Sequence, residues 1–177
     1  MLRSTVLILG LSLAGCAAQP QPGVLPVSGP ARMELPAAGT AELPIARFHE
    51  RTRGYFRFNS GVPNELMAAI RSDEDWRVQW GLASAHFGSP PPEPEVDFEK
   101  DMLLIAAMSS KGSGGYSVHI ERVVERPDEL VAHVRFTSPG ARCGAIAVIT
   151  SPADIVRLPK SEKNVRWQVE RVSRDCS

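Results

Sequence analysis

The stretch "SVHIERVVERPDELVAHVRF", residues 117–136, decides the fold class. Val118 and Ile120 alternate with Ser117, His119 and Glu121. Beyond Pro127, Leu130, Ala132, Val134 and Phe136 alternate with Val131, His133 and Arg135. A period of two is that of a strand with one buried face. Folding the chain back about Pro127 sets Val118 opposite Phe136 and Ile120 opposite Val134, so apolar meets apolar on one side. The other side then pairs His119 with Arg135 and Glu121 with His133. A slip of one residue would turn the whole apolar set to water, so the register is specified.

Working outward, "DFEKDMLLIAAM" carries a near-continuous apolar run from Met102 to Met108, the pattern of a strand covered on both faces. Shorter strands are predicted in "AIAVIT" (145–150), "DIVRLP" (154–159) and "VRWQVERV" (165–172). Upstream, Tyr55, Phe56 and Phe58 suit a strand closed by Asn59-Ser60-Gly61. In "SDEDWRVQWGLASA", Ser72 can cap a helix while Asp75 reaches back, and Asp73 and Glu74 suit the positive end of its dipole. Trp76 and Trp80, four apart, share one face, which predicts a helix over Asp73–Ala83 packed by its tryptophans onto a sheet. Pro90, Pro91, Pro92 and Pro94 then require an extended surface connector. The expected class is mainly β: an antiparallel β-sandwich or open barrel with one packed α-helix.

The loop "KGSGGY", Lys111–Tyr116, leads into the first of the paired strands. Its glycines fail as a phosphate cradle, because Lys111 precedes them and a strand rather than a helix N-terminus follows. They fail as a nucleophile elbow for the same reason of context. "HERTR" places Arg53 where a zinc-protease helix needs its second histidine, and His49, His86, His119 and His133 show no metal-ligand spacing. We therefore expect no catalytic residue, metal or cofactor. Two readings of Lys111, Gly112, Ser113, Gly114, Gly115 and Tyr116 remain: an exposed loop that contacts a partner, or a hairpin turn with a core tyrosine.

The N-terminus gives the address. Arg3, the apolar run Val6–Leu13 and then Leu13-Ala14-Gly15-Cys16 form an export signal with a lipobox-like end. Its apolar run is too short to span a bilayer as a helix. Cleavage after Gly15 leaves 162 of 177 residues and exposes Cys16 for lipidation. Acyl chains stabilise the membrane-bound state by about 0.8 kcal/mol per buried CH2, so several chains anchor permanently. The alternative is an ordinary secretion signal that leaves Cys16 as a thiol. Residues 16–42, with prolines at 20, 22, 26, 30 and 36, are expected to form a tether, and 43–177 a single β-rich domain. Within that domain, 43–95 supply the N-terminal strand, helix and connector. In an oxidising compartment Cys143 and Cys176 are expected to pair; a nucleophilic Cys143 is the other reading. With 20 basic against 20 acidic residues, the chain has no electrostatic pull towards nucleic acid.

"VDFEKDMLLIAAM", "GSGGYSVHI", the "SPG" before Cys143 and "TSPADIVRLPK" together resemble the C-terminal domain of the protease complex subunit PrcB family, over residues 96–160. The resemblance departs where a proline commonly precedes the double glycine, since Ser113 and Gly114 stand there. It implies an exported, non-catalytic protein associated with a surface protease. The expected partners are thus the lipid bilayer, through acylated Cys16, and a protease or protease complex held by surface loops. The expected location is the bacterial cell envelope, on the outer membrane facing the periplasm. A structural envelope lipoprotein without a protease partner is the alternative.

Overall fold

The structure is a computed structural model that describes residues 39–48 and 59–175. The export signal, Cys16, the tether up to residue 38, the strand expected around Tyr55–Phe58 and Cys176 lie outside the described residues.

Two four-stranded sheets carry the fold. Sheet A has the order β1 (Ala41–Leu43), β5 (Ser117–Glu125), β6 (Glu129–Pro139), β8 (Asn164–Arg174). Sheet B has the order β2 (Ala46–Arg47), β7 (Ala153–Pro159), β4 (Asp101–Ala107), β3 (Leu66–Ile70). The chain changes sheet at Pro44-Ile45, where a missing N–H ends the first ladder, a device common at sandwich corners. The sandwich expected from the sequence is the architecture found.

Between the sheets, Met102 and Leu104 of β4 and Val156 and Leu158 of β7 meet Val118, Ile120, Leu130, Val134 and Phe136 of sheet A. The opposite face of sheet B packs Leu103, Ile105 and Ile155 against Trp76 and Trp80 of helix α1 (Asp73–Ser84). A core on each side explains the unbroken apolar run of β4. The helix begins where the sequence places it, with the Ser72 hydroxyl accepting from the Asp75 N–H at 3.2 Å. Its tryptophans are core and also hold the proline-rich connector. The Trp76 indole donates to the Pro94 carbonyl at 3.0 Å and that of Trp80 to the Pro91 carbonyl at 3.3 Å. A run without spare donors of its own is thereby fastened.

The β5–β6 register agrees with the sequence reading at Val118–Phe136, His119–Arg135 and Ile120–Val134. It then shifts between Ile120 and Arg122, so His133 faces Arg122 instead of Glu121. The bulge at Glu121 has a buried cause. Asp154 of β7, only 2 % exposed, accepts the Ile120 N–H at 2.8 Å. The Arg47 guanidinium lies 3.4 Å from the same carboxylate oxygen and donates to the Ile120 carbonyl. The Ile120 N–H and carbonyl, beside the register shift, are thus satisfied by charges from β2 and β7.

Two further expectations are corrected. The strand predicted at Ala145–Thr150 is a loop up to the single bridge of Thr150 with Lys111, because the Val148 N–H donates to the Ile146 carbonyl at 3.0 Å and turns the chain at Ala147. Strand β8 pairs parallel to β6, whereas every other named pairing is antiparallel. The reason is connectivity. After β6 the chain crosses into sheet B as β7, so it re-enters sheet A in the direction it left.

Candidate functional site

The glycine loop joins the middle of one sheet to the middle of the other, β4 to β5, and is therefore no hairpin turn. Its start is riveted by backbone. Lys111 and Thr150 exchange both hydrogen bonds, at 2.7 and 3.0 Å, and the Thr150 hydroxyl donates to the Ser113 carbonyl at 2.8 Å. The Gly114 N–H donates to the Ile146 carbonyl at 3.0 Å. Beneath lies a polar knot: the Ser110 and Ser151 hydroxyls are 2.8 Å apart, and the Ser60 hydroxyl and N–H both donate to the Ser151 carbonyl.

Gly115 is the position whose residue type the backbone dictates. Its φ is +92°, and a Cβ placed there would stand 3.0 Å from the Pro139 Cβ. Both the left-handed conformation and the close approach of Pro139 require glycine. Gly112 is different, having open space where a side chain would project. Ser113 is half-buried, and Gly114 is buried against Ile146.

The loop forms one wall of a cleft of about 740 Å³. Gly114, Gly115, Tyr116 and Pro139 line it together with Cys143, Ile146, Val148 and Ile149. Ile146 is 72 % exposed and Ile149 67 %. Large aliphatic side chains that far into water, beside a cleft, are the feature that sequence reasoning missed. The signal is present in "AIAVIT", but its apolar run reads as a short strand. The ammonium of Lys111 stands 5.7 Å from the Tyr116 ring centre, a cation–π distance that steadies the tyrosine at the edge of the cleft.

Of the six expected contact residues, Gly114, Gly115 and Tyr116 line the cleft directly. Lys111 and Ser113 brace it, and Gly112 is exposed beside it. No histidine is among the residues lining it, and among the described residues no group of three or more His, Cys, Asp or Glu side chains is placed to share an ion. The sulfur of Cys143 lies 3.1 Å from the Arg174 carbonyl oxygen, two residues before Cys176. What the arrangement offers chemically is an apolar seat with a rigid glycine wall and a few backbone polar groups.

On the outer face of sheet A, a second and polar depression is lined by Glu121, Arg122, His133, Arg135, Gln168 and Glu170. Burial, then the guanidinium groups of Arg122, Arg166 and Arg126, hold the His133 imidazole below its ordinary value, with Glu121 opposing them.

No curated protein and no solved structure matches the chain. A family model does, and it runs from the first buried residue of β4 to the last residue of β7, so it includes most of the residues that line the cleft. Residues 102–159 match the family model described as PrcB C-terminal, and in that stretch the chain is similar to this family.

Proposed function

We propose that this chain is a non-catalytic envelope lipoprotein that holds a protease or protease complex in the cleft between Gly114–Tyr116 and Ile146–Ile149. The observation that carries the reading is the exposure of Ile146 and Ile149 in a cleft that Gly115 and Pro139, held in close approach, also line. Exposed apolar side chains gathered at a concavity favour a partner that covers them, because each gains its transfer free energy only when water is removed. The family match supports a protease complex as that partner. In this reading Cys16 carries the lipid, the segment between Cys16 and β1 lifts the domain off the outer membrane into the periplasm, and Cys143 pairs with Cys176 to pin the cleft. The approach of Arg174 to the Cys143 sulfur supports that pairing.

The test is capture from crosslinked envelopes. The wild-type chain should bring down a protease in stoichiometric amount, and the Ile146→Asp/Ile149→Asp variant should lose it while unfolding at an unchanged temperature. Absence of any protease, or equal capture by the variant, would sink the proposal. The disulfide has its own check: the intact chain, alkylated after denaturation without reductant, should show one pair of thiols blocked from labelling.

A further inference from the structure

Sheet A ends on unequal edges. One is β1, three residues long and stopped by Pro44. The other is β8, eleven residues with no proline and no shift in its register against β6. Among the described residues, no strand pairs with the far side of β8. A long, regular edge is a template for another strand unless a device blocks it.

The parallel ladder settles what that edge offers. The Gly140 N–H donates to the Arg174 carbonyl at 2.8 Å, so even-numbered residues of β8 turn their backbone groups to β6. Odd-numbered residues, Val165 to Arg171, turn theirs outward. The even-numbered side chains Arg166, Gln168 and Glu170 are exposed on the outer face, already inside a ladder of alternating charge. Glu121 is 2.7 Å from Arg135, Arg135 is 2.9 Å from Glu170, and Arg166 is 3.0 Å from Glu129.

We propose that a second copy of this chain adds to the β8 edge, antiparallel, about a two-fold axis through Gln168. In that register Trp167 meets Val169 of the second copy in a hydrogen-bonded pair, and Val165 meets Arg171. Arg166 stands opposite Glu170 of the second copy, and Glu170 opposite its Arg166, in the non-hydrogen-bonded pairs where side chains approach most closely. The alternation of charge then runs unbroken from one sheet A into the other. Other registers at the middle of the strand lose this, and an axis at Val172, which sets Glu170 against Arg174, pairs only the end of β8. An axis at Arg166 sets arginine against arginine, an axis at Glu170 sets glutamate against glutamate, and axes at Trp167 or Val169 bring no opposite charges together. The self-complementary patch is what a two-fold interface requires.

The experiment is sedimentation of the full chain, extracted from envelopes in detergent, over a range of concentration. The wild type should dimerise. Arg166→Glu and Glu170→Arg should each weaken association about tenfold or more, and the double reversal should recover most of the loss. The reversals also disturb Glu129 and Arg135 within each chain, but the double variant carries both disturbances, so recovery reports the contact between copies. Gln168→Cys should form a covalent dimer on mild oxidation beyond any seen for the wild type, and Val78→Cys on the helix should not. A wild type that stays monomeric, a dimer indifferent to the reversals, or a Gln168→Cys variant that fails to crosslink would overturn the proposal. So would capture of a different protein's strand by β8 in place of a second copy.

Discussion

Two places, one on strand β5 and one just before it, treat polarity in opposite ways. At Ile120, where sheets A and B are tied, the molecule buries a carboxylate, Asp154, and surrounds it with the Ile120 N–H and Arg47. At Tyr116, four residues earlier, it exposes aliphatic side chains of the 140–150 loop to water. The first arrangement stabilises the fold at the cost of desolvating a charge; the second forgoes burial that a small fold would gain from. The difference separates what holds the protein together from what is left for a partner. Each prediction below sets one against the other.

Removing the buried charge should have the largest effect on stability. Asp154→Ala leaves the Ile120 N–H without its acceptor and a three-quarters-buried Arg47 without its carboxylate partner, and should destabilise by about 2–4 kcal/mol. Denaturant unfolding measures this. A loss under about 1 kcal/mol would mean that the tie between the sheets is dispensable.

Gly115→Val comes next, at about 1–3 kcal/mol, since valine must adopt a φ near +92° and press on Pro139. Gly112→Trp is the contrast on the same loop. With open space at that Cβ, stability should change by no more than about 0.5 kcal/mol, while the ring obstructs whatever covers the cleft. Unchanged partner capture by Gly112→Trp would place the docking surface elsewhere.

The smallest effect belongs to pH. The His133 imidazole titrates below its ordinary 6.5 in the folded chain, so the unfolded chain takes up the proton first. This contribution to stability is full above about pH 6.5 and falls as pH drops through that value toward the folded one. His133→Gln should flatten, by a small amount, the decline in unfolding midpoint between about pH 7.5 and 5.5. An identical slope in the variant would refute the assignment.

How much of this was legible in the sequence depends on what each residue reports. Alternation in Val118–Ile120 and Leu130–Phe136 gave the hairpin and its register, because burial of one face leaves a period. The bulge at Glu121 left no such mark: Val123 and Val124 are both apolar, so the sequence fits either phase. Strand β3, "LMAAI", was passed over because alanine and methionine favour helix, and pairing with β4 overrides that preference. Direction of pairing is invisible to alternation, which is why parallel β8 came as a correction. The glycine wall of the cleft was readable from residue type, since Gly115 has a conformational reason. The apolar wall was not, because an exposed isoleucine and a buried one are written alike.

The central claim is that the cleft is where a protease sits, and one measurement tests it most directly. A photo-crosslinking residue is placed at Ile149 and, separately, at Val78, which is also apolar and exposed but lies on helix α1. After irradiation of intact envelopes, the account predicts one discrete adduct containing a protease from position 149 and none from 78. No adduct from 149, or the same adducts from both positions, would contradict it.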